Sequence, residues 1–172
     1  MHAQETPRLL FRPLAPGDEV TLFPHIDDEL TRHWIGWEKS QSLVEERTRV
    51  ERLVESMRKG LGMHFVLHEK RSGEFIGMCG IEANPANPQE KDVDIWIKAP
   101  AHGNGFAVEA LAALIRWAKT RPELEYLVYS VTEGNAHSRA IAERFRFKPF
   151  RTFKATKRGE KRDVTDYKVP LR

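Results

Sequence analysis

The chain has 172 residues, 40% of them hydrophobic and 31% charged, with a formal charge of +3, a size that suits one domain with a core of its own. No apolar run approaches the roughly 18 residues that cross a membrane, and Met1 to Arg8 lacks a basic stretch followed by an apolar core, so a soluble, cytoplasmic protein is expected. The single cysteine, Cys79, excludes an internal disulfide and, within the apolar run FIGMCGI, reads as a buried thiol rather than a nucleophile.

In chain order, Arg8 to Leu14 reads as an opening strand and Gly17 to Phe23 as a short helix, expected to stop at Pro24 because proline removes a donor and clashes inside a helix. A loop with His33, Trp34 and Trp37 follows. Ser42 with Glu45 makes a capping-box start; Val50, Leu53, Val54 and Met57 then recur at helical spacing until Gly60 and Gly62. Met63 to Glu69 and Glu74 to Ala83 read as strands joined by the turn Arg71-Ser72-Gly73, and a Pro/Asn-rich loop, Asn84 to Lys91, leads to a strand from Asp92 to Ile97. Beyond a loop holding Gly103 and Gly105, the residues Ala107, Ala110, Leu111, Leu114, Ile115 and Ala118 mark a helix up to Pro122. Tyr126 to Val131 is a strand, Asn135 to Phe145 a helix, and Lys148 to Lys157 pairs with Arg162 to Val169 across Arg158-Gly159-Glu160. The sum is an α/β (α+β) chain with a mixed sheet of about seven strands and about four helices, without repeats or linkers.

Charge is unevenly spread. Residues 144–172 hold eleven Lys and Arg against Glu160, Asp163 and Asp166, while the rest of the chain is net negative. This basic hairpin suits a solvated strand surface or contact with a nucleotide cofactor, and a nucleic acid is the third reading.

The glycine loop carries the first chemical signal. Gly103 and Gly105 let backbone approach a ligand, and the helix that begins at Gly105 offers unpaired N–H groups at the positive end of its dipole, which suits a phosphate. The loop lacks the Lys-Ser/Thr of a nucleoside-triphosphate loop and the three-glycine spacing of a dinucleotide fold. On these residues alone, a tight strand-to-helix turn with no ligand stands beside the phosphate cradle. His64 and His68 share a strand face, but no third ligand is evident and no metal site is expected.

The segment from His102 to Ala107, followed by Glu109-Ala110, resembles the pyrophosphate loop of the GNAT acetyltransferases, written Q/R-x-x-G-x-G/A. The longer string GNGFAVEALAALIRWA is similar to the RimJ and RimL branch of ribosomal-protein N-terminal acetyltransferases, with Val108 where a threonine is usual. Asn135-Ala136-His137-Ser138 matches the N-x-x-S of that branch, and the strand to Ile97 matches its A-E-I-G-Y-W-I with Trp96 in register. The resemblance spans about residues 8–171, weakest from Pro24 to Met63. His102 stands where Gln or Arg is usual, and Arg146-Phe147 replaces Gly-Phe, so the last helix is expected to end without a left-handed glycine.

The resemblance implies a single GNAT domain over residues 1–172 with a mostly antiparallel sheet, splayed central strands and acetyl-CoA as cosubstrate. Backbone of Ile95, Trp96 and Ile97 would take the pantetheine arm. The loop His102, Gly103, Asn104, Gly105, Phe106, Ala107 and Val108 would take the pyrophosphate. Asn135 and Ser138 would face the arm from the following helix, Asn135 also serving as a helix cap. The amine attacks the thioester directly in this family, and an N–H near Ile97 would hold the oxyanion. The family's tyrosine proton donor, seven residues after the asparagine, is here Ala142, which leaves Ser138 as the donor. Asp92, Glu82, Asp94 or a bound water would be the base, and Trp34, Trp37 and Asp94 would frame the acceptor. Acidic Glu38, Glu82, Asp92 and Asp94 suit a cationic acceptor, either a protein α-amine or a small amine. A noncatalytic acyl-CoA sensor, and a ribosome- or RNA-associated module using the basic hairpin, are the alternatives. A monomer or homodimer without membrane contact is expected.

Overall fold

The computed structural model describes residues 4–26, 42–84, 87–157 and 159–172. Its strands are β1 (Gln4–Glu5), β2 (Leu9–Pro13), β3 (Gly62–Glu69), β4 (Phe75–Asn84), β5 (Asn87–Ile97), β6 (Tyr126–Thr132), β7 (Lys148–Lys157) and β8 (Glu160–Pro170). The helices are α1 (Glu19–Ile26), α2 (Leu43–Arg58), α3 (Phe106–Ala118) and α4 (Ala136–Arg144), with one 3-10 turn at Ala99–Ala101. The strands form one sheet in the order β1-β2-β3-β4-β5-β6-β8-β7, antiparallel everywhere except between β5 and β6. Among the described residues, seven long strands and four α-helices match the expectation from the sequence, and the two-residue β1 adds a short edge. No described helix is long and apolar enough to cross a membrane.

Strand alternation sorts the side chains onto two faces. Phe65, Ile81 and Leu127 point to one face, where α3 covers them with Phe106, Ala110, Leu111 and Leu114. Val66, Met78 and Trp96 point to the other, against Leu22 and Ile26 of α1 and Val50 and Leu53 of α2. Cys79 is buried in the first of these cores, where burial pushes its thiol up, so it stays neutral. The α2 start is the capping arrangement expected, since the Ser42 hydroxyl accepts from the Glu45 N–H at 3.2 Å.

Two boundaries differ from the sequence reading, and the glycine-free end of α4 that the sequence predicts is closed by an unusual cap. α1 continues through Pro24 to Ile26, because Leu22 and Ile26, one turn apart and both buried, hold the last turn in the core and outweigh one lost backbone bond. β5 begins at Asn87 rather than Asp92, with an irregular register at Ala83 and Asn84 shortening the expected loop. At the end of α4, Arg146 itself takes the left-handed conformation, φ 55°, that a glycine usually supplies. The N–H of Phe147 donates to the Ala142 carbonyl and that of Arg146 to Glu143, completing the cap despite the side chain. A Cβ in this region is strained, so Arg146→Gly is expected to stabilise the protein by about 1 kcal/mol. Thermal melting would register that as a rise of roughly 2–4 °C in Tm.

Candidate active site

The site begins where the sheet parts. β5 and β6 share one paired position, Asp92 opposite Val128, and no further pairing follows toward Ile97 and Thr132. β5 keeps its antiparallel ladder with β4 through Ile97, so only its β6-facing edge is left open. Backbone donors and acceptors on such an edge need a partner, and an extended ligand can supply it.

The loop after β5 opens onto this gap. Gly103 and Gly105 both have φ 77°, and a Cβ on Gly103 would meet nothing within 4 Å. Gly105 is the N-cap of α3 and brings no side chain, so the amides of Phe106, Ala107 and Val108 remain available at the positive end of the dipole. The ring of His102 is turned inward, its Nε2 2.6 Å from the Ile97 carbonyl, which it serves as a donor. Asn104 bonds the carbonyls of Ala101 and His102. These two side chains therefore shape the loop and leave ligand contact to its backbone.

A brace that sequence reasoning missed holds the loop to the N-terminal strands. Arg8 donates to the Asn104 carbonyl at 2.9 Å and to Glu109 at 2.6 Å, and its guanidinium lies 4.5 Å from the Phe106 ring centroid. Thr6 bonds the same carboxylate. Against the upward pull of burial, the hydrogen bonds from Thr6 and Arg8 hold Glu109 below the ordinary carboxylate range. Residues 8 and 109 are far apart in sequence, and the acidic first turn of α3 was the one visible trace of the contact.

On the α1/α2 face, cross-strand register places a row of ionisable groups beside the gap: Glu82 opposite Asp92, and Asp94 opposite Gly80, which in turn faces His64. Two glycines make room for them. A Cβ on Gly62 would lie 2.5 Å from Glu82 Oε2, and one on Gly80 would lie 2.5 Å from His64 Nδ1. Buried His64 meets Glu82 at 2.7 Å through Nε2, while Ser56 of α2 donates to the other carboxylate oxygen. Burial pulls Glu82 up, but these hydrogen bonds prevail and keep it ionised below the usual range. Burial lifts Asp92 above that range, with repulsion from Asp166 and Glu90, and a hydrogen bond with Asn84 opposes it in part. Burial also lifts Asp94. Arg151 is spent on Glu90 at 3.1 Å and Asp166 at 2.6 Å, so Asp92 and Asp94 form no salt bridge among the described residues.

On the opposite side of the gap, Asn135 caps α4 by accepting the Ser138 N–H at 3.0 Å. Ser138 Oγ lies 2.7 Å from the hydroxyl of Tyr129, a buried β6 residue that sequence reasoning also missed. Ala142 is fully buried in the core. Among the strand residues, Trp96 directs its indole into the α1/α2 core against Phe75, with ring centroids 5.8 Å apart, so only its backbone is available to a ligand. Trp34, Trp37 and Glu38 lie outside the described residues. No cluster of three or more His, Cys, Asp or Glu suited to a metal occurs among the described residues.

The raised carboxylates carry a stability consequence. Asp94 binds its proton more tightly folded than unfolded, so its charge costs stability at neutral pH, and that cost disappears as pH falls below the unfolded value near 3.8. Asp94→Asn is therefore expected to raise Tm at neutral pH, with the gain shrinking on acidification. Melting curves across that range read the sign directly.

Residues 8–148 match the family model described as the Acetyltransferase (GNAT) domain. The uncharacterized protein YkkB of Bacillus subtilis (strain 168) is 26% identical over 155 residues, 81% of each chain. The fold is shared with RimL, the ribosomal L7/L12 α-N-protein acetyltransferase, solved in complex with coenzyme A: TM-score 0.85, 19% identity, covering 98% of this chain and 97% of that one. It is also shared with the microcin C7 self-immunity acetyltransferase MccE, solved with acetyl-CoA and AMP: TM-score 0.82, 15% identity, covering 96% of this chain and 93% of that one.

Proposed function

The chain belongs to the GNAT acetyltransferase family, and from that premise we propose that it moves an acetyl group from acetyl-CoA to a primary amine by direct attack on the thioester. The observation that carries the reading is the parting of β5 from β6 between an uncapped helix N-terminus and a row of desolvated carboxylates. The chain is read as one domain acting in the cytoplasm.

The residues present fit the cosubstrate. Open space over Gly103 and the free amides of Phe106, Ala107 and Val108 suit the pyrophosphate, with Gly105 and the inward-turned His102 and Asn104 shaping the turn. The open β5 edge at Ile95, Trp96 and Ile97 suits the pantetheine amides, and one of its N–H groups suits the oxyanion. Asn135 fixes the first turn of α4, and Ser138 presents its hydroxyl to the leaving sulfur.

The acceptor enters on the acidic face. Asp94 holds the incoming ammonium and Asp92, at the apex of the gap, takes its proton, since a carboxylate lifted by burial is a better base than one held low. Glu82 is the poorer base because Ser56 and His64 already occupy it, and it serves to orient His64. This face suits a cationic acceptor, whether a protein N-terminal α-amine, as on the ribosomal protein that RimL modifies, or a small amine.

Calorimetric titration of acetyl-CoA is the first test. Gly103→Glu, which puts an anion and a strained side chain into the cradle, is expected to weaken binding by about 100-fold relative to the wild type. Undetectable binding by the folded wild-type protein overturns the reading. With a reactive amine from a screen, Asp92→Asn is expected to lower kcat by about 100-fold or more and leave acetyl-CoA affinity nearly unchanged. Wild-type activity should fall on acidification through the raised Asp92 value, and that acid limb should vanish in the variant.

A further inference from the structure

The Tyr129–Ser138 pair resolves a chemical difficulty in the reading above, on which it rests. An aliphatic hydroxyl is a far weaker acid than a thiol, so Ser138 alone would end the reaction as an unstable alkoxide. A phenol, with an ordinary value of about 10, stands close to a thiol at about 8.5. We propose that Tyr129 is the proton reservoir behind Ser138, so that the two hydroxyls act together to protonate the departing thiolate, with Tyr129 as a positioning residue.

The geometry sets the direction of the chain. Tyr129 is 3% exposed, and among the described residues its hydroxyl bonds to Ser138 Oγ alone, at 2.7 Å. A buried phenol with a single neighbour donates to it, which leaves the hydrogen of Ser138 free to point into the gap. The Ser138 backbone is pinned by Asn135, so the hydroxyl is held from both ends. Burial leaves the phenol above its ordinary value, the bond to Ser138 offsets only part of that rise and no charged group contributes, so Tyr129 is a weaker acid than a free phenol but remains a far stronger one than an aliphatic hydroxyl. Tyr129 is opposite Tyr167 on β8 and packs on Phe147, while His137 and Arg139, which flank Ser138 on α4, are exposed.

As the tetrahedral intermediate collapses, the C–S bond breaks and its electron pair stays on sulfur. The Ser138 proton passes to sulfur to form the S–H bond, and the Tyr129 proton passes to Ser138 Oγ. The phenolate regains a proton from solvent through Ser138, which is half-exposed, after the product leaves. The acceptor gives up two protons, one as the ammonium becomes the attacking amine and one as the tetrahedral nitrogen becomes the amide; each passes to solvent through Asp92, so no further reactant is required.

A test that needs no acceptor compares CoA with desulfo-CoA by calorimetry between about pH 6 and pH 9, a span that brackets the ordinary thiol value. Donors aimed at sulfur lower the bound thiol, so CoA should gain on desulfo-CoA as pH rises, about tenfold for each unit of lowering. Tyr129→Phe and Ser138→Ala are each expected to remove most of that gain, and Tyr129→Phe to keep wild-type affinity for desulfo-CoA. A pH-dependent preference unchanged in Tyr129→Phe, or absent from the wild type, overturns the proposal. Loss of desulfo-CoA binding in Tyr129→Phe would mark a merely structural role and overturn it too. Failure of the wild type to bind either ligand overturns the acetyl-CoA reading itself.

Discussion

The site depends on one unfinished pairing. An antiparallel sheet satisfies its backbone groups strand by strand, and this one does so on both sides of β5 and β6 but fails between them after Asp92 and Val128. The two strands run parallel because the chain leaves β5, crosses one face as α3 and returns as β6. That crossover also brings the α3 N-terminus close to the end of β5, past the last paired position. A single topological feature thus creates a strand-like binding edge and sets a positive helix end beside it.

Electrostatic satisfaction is distributed around the gap with a clear asymmetry. The supporting groups are saturated: Glu109 by Thr6 and Arg8, Glu82 by Ser56 and His64, and Glu90 and Asp166 by Arg151. Asp92 and Asp94, nearest the apex, form no salt bridge among the described residues and are lifted by burial despite the attraction of Arg151 on Asp92 and of His64 and Arg49 on Asp94. Core packing alone would favour neutral side chains there, and partly buried carboxylates lifted in this way mark the place as a candidate functional site.

What was legible in the sequence follows the range of the interaction. Local signals were sufficient for the Ser42 cap, the buried stripe of α3 and the glycine turn, because each is set by residues within a turn or two. The face shared by Glu82, Asp92 and Asp94 was within reach of strand alternation. Arg8 with Glu109, His64 with Glu82 and Tyr129 with Ser138 were not, because each depends on register or on elements that meet only after folding. Pro24 and Arg146 show the reverse case, in which local preference pointed the wrong way and tertiary packing prevailed.

The basic hairpin shows why net charge is a weak guide to partners here. Its three acidic residues are all engaged inside it: Arg162 pairs with Glu160, Lys154 with Asp163 and Arg151 with Asp166. Arg151 also reaches across to Glu90, and Lys168 lies over the Tyr126 ring. Part of the excess therefore balances the acidic face of β5 instead of projecting outward. In this arrangement Arg151 pairs with Glu90 and Asp166 and also attracts Asp92, while Asp94 is drawn by His64 and Arg49, so burial and not a want of cations lifts the carboxylates beside the gap.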